Sequence, residues 1–265
     1  MSNADALAET VDFLTLAPAG DGWVGRTPAW FGNVLFGGFV LAQAIAAATR
    51  AAPEGARLHS LHAYFLRPVR GGSTVEYRNS VVRAGRTFAS HELRAEQDGK
   101  PVVTMTSSFT TDTDGYDFDL GGLAPDVPPP DPSATEPGPG PWEACWVGPT
   151  EPRADGSRES THRMWFRVPT RLPDDPHLHT ALLGFATDWT GIGGRPLHLE
   201  GDTQGMVSLD HAAWFHRPAR ADDWLFYDVQ SLVNAGGRGL LRGVMRDQAG
   251  RVVASAAQEM LLRPV

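Results

Sequence analysis

Cysteine is almost missing from this chain. Cys145 stands alone among 265 residues, so no intramolecular disulfide can form and a cysteine-based metal site cannot be assembled. Beside Trp146 it reads as a packing residue. Basic charge is also scarce, with 23 Lys and Arg against 31 Asp and Glu, a formal net charge of −8. Nucleic-acid binding needs a basic face, and this balance argues against one. An anionic small ligand stays open, because a local cluster of arginines can hold one whatever the total. No apolar run suits a bilayer: within the uncharged residues 27–49, Pro28 and Asn33 interrupt the run, and the remaining 34–49 includes Gly37, Gly38 and Gln43 and is shorter than the roughly 18–20 residues a span requires. No basic-then-apolar leader opens the chain, so a cytoplasmic protein is expected. Common catalytic signatures are missing as well. There is no Gly-x-Ser-x-Gly elbow and no P-loop, and Gly191-Ile192-Gly193-Gly194 lacks the spacing of a dinucleotide fingerprint. His59-x-x-His62 and His177-Leu178-His179 have no carboxylate at a supporting distance, so no metal site is expected.

What is present is a repeat. Tyr64-Phe65-Leu66-Arg67-Pro68 returns as Trp214-Phe215-His216-Arg217-Pro218, 150 residues later. Gly85-Arg86 returns as Gly237-Arg238 at an offset of 152, and Gly99 as Gly250 at 151, each followed by a Val-Val pair. Matches in one order at nearly the same offset mark a tandem duplication. In the first copy, residues 74–82, 87–97 and 102–109 carry β-branched and aromatic residues between turn signals at Gly85 and Asp98-Gly99. In the second copy, residues 224–233, 238–246 and 252–262 repeat them. An apolar helix is predicted ahead of each set, over 38–51 and 178–189, the first so uniformly apolar that it must be covered on nearly every side. The predicted class is α+β, a double hot-dog: two tandem modules, each an antiparallel sheet wrapped around a central helix. The modules are expected at 1–111 and 161–265. The connecting 112–160 carries eight prolines between Pro125 and Pro141 and reads as an extended linker.

The copies differ where chemistry could reside. Offset 146 superposes Gly38 on Gly184 and sets Asp188 where the first copy has Ala42; offset 151 sets Gln258 opposite Ser107. Ser208 and Asp210-His211 precede the second Trp-Phe-His-Arg-Pro. A carboxylate within an apolar helix is costly to bury unless it is hydrogen-bonded or working. Plainer readings stand beside this one: Asp188 as a helix cap, Gln258 as a solvent-facing strand residue, and Asp210-His211 as a surface turn or a structural pair with His216.

The chain resembles bacterial acyl-CoA thioesterase II over nearly its whole length. The resemblance rests on Phe36-Gly37-Gly38, Leu58-His59-Ser60-Leu61-His62-Ala63-Tyr64-Phe65-Leu66-Arg67-Pro68, Met105-Thr106-Ser107-Ser108-Phe109, Ser208-Leu209-Asp210-His211-Ala212-Ala213-Trp214-Phe215-His216-Arg217-Pro218 and the closing Ala257-Gln258-Glu259. It implies hydrolysis of an acyl-CoA by a water held by an aspartate, a threonine and a glutamine. Those positions are Asp188, Ser208 and Gln258 here, with serine keeping the hydroxyl and losing a methyl. The stretch between Asp188 and Ser208 is shorter and richer in glycine than in that family. Backbone N–H groups at Gly37, Gly38 or Gly184 are the expected oxyanion donors. Arg86, Arg217 and Arg238 are candidates for the CoA phosphates. No cofactor beyond the substrate's own CoA, no nucleic acid and a self-associating assembly are expected. The rival readings are a hot-dog dehydratase or hydratase, disfavoured because Asp210-His211 lies on a different element from Asp188, and a non-catalytic acyl-CoA binder.

Overall fold

The computed structural model describes residues 12–28, 34–111, 115–119, 121–124, 126–138, 140–148, 161–189 and 207–262. Two short strands, β1 (Ala17–Ala19) and β2 (Gly22–Arg26), lead into helix α1 (Gly37–Arg50). Then follow β3 (Arg57–Phe65), β4 (Thr74–Ala84), β5 (Phe88–Gln97) and β6 (Lys100–Thr110). Beyond them come β7 (Glu136–Pro137), β8 (Glu143–Val147), β9 (Thr161–Arg167) and helix α2 (Pro176–Thr187). The second copy closes with β10 (Val207–Ser208), β11 (Asp210–Phe215), β12 (Leu225–Ala235), β13 (Arg238–Arg246) and β14 (Val252–Leu261). Every strand predicted from the repeat is present, its ends moved by a few residues.

All fourteen strands join one sheet in the order β1-β2-β4-β5-β6-β3-β11-β14-β13-β12-β9-β8-β7, with β10 beside β14. The ladder between β3 and β11 is the seam between the copies. There His62 faces Ala212, Ala63 faces His211 and Leu61 faces Ala213. Adding 150 to each number of β3 reproduces the same pairs, so a pseudo-two-fold axis passes through His62 and Ala212. The double hot-dog is thus a sheet built from the middle outward.

The helices fill the hollow of that sheet. α1 buries ten residues from Gly38 to Ala48, as its Ala- and Leu-rich composition requires. α2 starts on Pro176, whose fixed φ and missing N–H suit a first turn, with the Asp175 side chain accepting from the His177 N–H at 2.9 Å. The helices pack closely against each other. A side chain at Gly38 would sit 2.7 Å from the Phe185 carbonyl oxygen, and one at Gly184 would collide with Ile45.

The stretch 112–160 is more than a linker. β8 pairs with β9 from Glu143 opposite Arg167 to Val147 opposite Arg163, extending the second module's sheet. Trp142 beside it is buried against Phe166 and Trp189. The prolines hid this, although Pro137 stands on β7, an edge where a missing N–H costs nothing. Pro128 also accepts the Trp165 indole N–H at 2.8 Å. Cys145 packs with Trp165, Trp224 and Phe226, as its single occurrence suggested.

Tyr227 of β12 ties this sheet to α2. Its ring is fully buried, and its hydroxyl donates to the Thr187 carbonyl at 3.0 Å. The ring lies over Gly243, where any Cβ would collide with it. Gly243→Ala is therefore expected to destabilise the protein by about 1–3 kcal/mol through overpacking, measured by urea unfolding. A second substitution, Tyr227→Leu, should recover part of that loss.

Candidate active site

Three side chains from three elements meet at the C-terminal end of α2. Asp188 is the residue that closes the helix, with its N–H bonded back to the Phe185 carbonyl at 3.2 Å. The expectation of a mid-helix aspartate is corrected here: α2 starts earlier than α1 and stops at Thr187, so the cap position holds the acid. The carboxylate is nonetheless 1% exposed. Gln258, on the inner face of β14 and fully buried, donates through Nε2 to Asp188 Oδ1 at 2.6 Å and to Ser208 Oγ at 2.7 Å. Ser208 is held in register by β10, which places it opposite Met260. Because its oxygen accepts from Gln258, its own O–H is left to donate elsewhere.

The second carboxylate oxygen, Oδ2, is buried with no hydrogen bond of ordinary geometry. It faces the first turn of α1, where a Cβ on Gly37 would come within 2.9 Å of it. Burial pushes the Asp188 carboxyl up to about 7, against the opposing pull of Gln258 and the Gly38 N–H. Two helix ends act on it with opposite sign. The C-terminus of its own helix disfavours the charge, and the N-terminus of α1 favours it.

The glycine candidates divide. Gly37 and Gly38 are the first residues of α1, where N–H groups have no partner within the helix and the N-cap Phe36 contributes no side-chain bond. Phe65 closes one side of this turn, and Phe36 packs on Phe185 at 5.3 Å between ring centroids. Gly184 is corrected: it lies inside α2, its N–H within the helical ladder, and its missing side chain makes room for Ile45. Two of the arginine candidates are also engaged elsewhere. Arg217 bonds Asp117 and donates to Asp119 at 2.6 Å and to the Val252 carbonyl at 2.6 Å, pinning the segment after the first module. Arg238 is paired with Glu259 at 2.9 Å. Arg86 is exposed on the β4–β5 turn.

The sequence alone did not place His211. It lies on a different element from Asp188, as expected, yet the tertiary structure brings it, fully buried, to 4.0 Å from that carboxylate, so the surface-turn reading is corrected, and His216 bonds Ser255. Its neighbour Asp210 points to the other face, where it bonds His62 at 3.0 Å and the Glu259 N–H at 2.9 Å. Two histidines of the sequence pattern make structural bonds. His59 bonds Ser108 at 2.8 Å, and His179 accepts the Ala221 N–H at 3.1 Å. Among the described residues no group of three metal-ligating side chains occurs. The segment 190–206, with its glycine-rich run, lies outside the described residues.

A tandem hot-dog sheet with a buried acid and amide beside a half-buried hydroxyl at a helix junction places the chain in the class of hot-dog proteins, and comparison with known proteins makes it specific. Residues 26–110 match the acyl-CoA thioesterase N-terminal domain and residues 122–262 the C-terminal domain. The chain is 31% identical over 252 residues to acyl-CoA thioesterase 2 of Haemophilus influenzae, covering 86% of this chain and 87% of that one. It is 29% identical to human acyl-coenzyme A thioesterase 8, covering 86% and 80% respectively. Among solved structures, acyl-CoA thioesterase II TesB2 of Mycobacterium marinum superposes with a TM-score of 0.83 at 32% identity, over 97% of this chain and 98% of that one. The chain belongs to the acyl-CoA thioesterase family, and it is a thioester hydrolase acting on acyl-CoA.

The raised acid has a cost in stability. A carboxyl whose folded-state value is raised binds its proton more tightly folded than unfolded, so it penalises folding once the unfolded chain ionises near 4 and most heavily above about 7. Asp188→Asn removes that penalty. Its stability gain over the wild type should grow by roughly 2–3 kcal/mol between pH 5 and pH 8, read from denaturant midpoints at the two pH values.

Proposed function

We propose that Asp188, Ser208 and Gln258 together hold and activate the water that hydrolyses the thioester. The observation that carries this is Gln258, whose one amide nitrogen bridges Asp188 at 2.6 Å and Ser208 at 2.7 Å and so fixes both around one point. A water there donates to the open Oδ2 of Asp188 and accepts from the Ser208 hydroxyl. Asp188, pushed up to about 7, is half ionised near neutrality and is a stronger base than an ordinary carboxylate. Its lone pair takes the water's proton as the oxygen attacks the thioester carbonyl. The carbonyl oxygen becomes an oxyanion against the N–H of Gly37, where glycine lets it approach, while the Gly38 N–H stays directed at Asp188. Collapse breaks the C–S bond, and Asp188 returns the proton to the departing CoA sulfur. The products are the free acid and CoA, with no acyl-enzyme between them.

Water, base and oxyanion donors are all supplied by these residues, so the reading needs no cofactor beyond the substrate. Arg86, exposed and on a turn, is the remaining arginine candidate for the CoA phosphates. The same reading includes a cytoplasmic, self-associating protein. The exposed Tyr64 and Trp214, set on the central strands by the pseudo-two-fold, support a contact between copies. No helix of the described residues is long and apolar enough to cross a membrane.

Asp188→Asn keeps the bonds to Gln258 sterically possible but removes the base, and acyl-CoA hydrolysis should fall by at least ~10³-fold in a thiol-release assay. Turnover within tenfold of the wild type would remove Asp188 from this role. Ser208→Ala should lower kcat by about 10–100-fold as a lost positioning group, and Ser208→Thr should restore it. In the wild type, activity should rise with pH through about 7 to a plateau, because only the ionised carboxylate accepts a proton.

A further inference from the structure

His211 is a costly residue to place where it lies. It is 0% exposed, and its Nδ1 makes no hydrogen bond of ordinary geometry, although the Gln258 side chain acts on the ring at longer range. Its other nitrogen, Nε2, is 2.8 Å from Thr187 Oγ1, and that hydroxyl is 2.7 Å from the Gly184 carbonyl oxygen. A carbonyl can only accept, so the single Thr187 proton goes to Gly184, and Thr187 must accept from His211. The ring's proton is therefore on Nε2, which leaves a bare lone pair on Nδ1. That lone pair faces Asp188 Oδ1 at 4.0 Å.

The duplicated copy supplies the control. At the strand offset of 150, the first copy has Leu61 where the second has His211; at the helix offset of 146, it has Leu41 where the second has Thr187. Both leucines are buried in the core, so the position is well filled by an aliphatic side chain. The polar pair occurs in the copy that carries the acid. Packing alone would have been served by leucine.

We propose that His211 is a positioning residue for Asp188, with its Thr187-locked Nδ1 lone pair opposing the carboxylate charge and so strengthening the base that draws the proton from water. Two acceptors facing each other in a water-excluded pocket repel while the acid is ionised, and protonation of the acid relieves the repulsion. Burial drives His211 itself down to about 4, so it stays neutral at working pH and cannot neutralise Asp188 as a cation. The groups facing the pair are Thr187 of α2, Gln258 of β14, the Gly38 N–H of α1, and Tyr227 of β12, whose hydroxyl goes to the Thr187 carbonyl. Asp210 and His62 lie across the sheet and pair with each other.

The inference rests on Asp188 being the base, and the test separates the two. The kcat of decanoyl-CoA hydrolysis would be followed by thiol release from pH 5 to 9 in wild type, His211→Leu, Thr187→Val and Asp188→Asn. Removing the lone pair in His211→Leu should move the acid limb down by about one pH unit, a tenfold change in proton affinity, while the plateau falls. Thr187→Val frees the ring proton to move to Nδ1 and donate to Asp188, so its limb should move the same way with His211 intact. A lower kcat with the acid limb within about 0.2 units of the wild type in the folded variants would reduce His211 to a structural residue and overturn the inference. Should neither variant fold, the ¹⁵N spectrum of wild-type His211 decides: a proton on Nε2 supports the proposal, and a proton on Nδ1 sinks it. Retained hydrolysis in Asp188→Asn would instead overturn the base assignment itself.

Discussion

Everything at this site depends on how closely two helices approach. With no side chain on Gly38 or Gly184, α1 and α2 come near enough for the Phe185 carbonyl and Ile45 to occupy the space a side chain would need. That contact sets the end of α2 against the beginning of α1. The acid that closes one helix then faces the N–H groups that open the other. Glycine costs helix stability, on the order of 1 kcal/mol relative to alanine, and here the cost is offset by the junction it permits. The junction is dry because aromatic side chains surround it, with Phe36, Phe39 and Trp142 all packed on Phe185. Burial among them raises the acid, and a raised carboxyl is what the proposed proton transfer from water requires.

The pseudo-two-fold makes the comparison of the two halves quantitative. His62 and Ala212 lie on the axis, so each residue has a defined counterpart with the same surroundings. In the first half these counterparts are Ala42, Leu41, Leu61 and Ser107; in the second they are Asp188, Thr187, His211 and Gln258. At these positions the first half is apolar but for Ser107, and the second carries a buried polar network. A half with a leucine core can carry much of the folding free energy while the other bears a strained carboxylate and an unpaired ring nitrogen. Tyr77 and Tyr227 show the same division. The first donates to the Gln43 side chain at 2.7 Å, a structural bond, and the second to the Thr187 carbonyl beside the acid.

Much of this was legible in the chain itself, because duplication writes the same pattern twice. Period-two alternation, the turn glycines and the two uniformly apolar helices follow from local propensity and burial, which act over a few residues. Asp188 and Gln258 stood out because the first copy lacks them, and Ser208 through the family resemblance. The missed features share one cause. β8 was hidden by prolines, since a composition rule reads the segment and not the edge it docks on. Arg217 looked available until Asp117 and Asp119, which follow the first module, came to meet it. Gly184 looked like an oxyanion donor by analogy with Gly38, yet α2 starts about two turns earlier, leaving it inside the ladder.

The sequence by itself determined the two modules, their strands and helices, and which half carries the acid, the amide and the hydroxyl, because each depends on residue type and on comparison between repeats. Only the tertiary structure decided what those groups do to one another. That Gln258 bridges Asp188 and Ser208, that Asp188 is a cap and not a mid-helix residue, and that His211 lies 4.0 Å from it are all matters of distances between elements far apart in the chain. Hydrogen bonds and burial act through space, and a linear pattern does not record them.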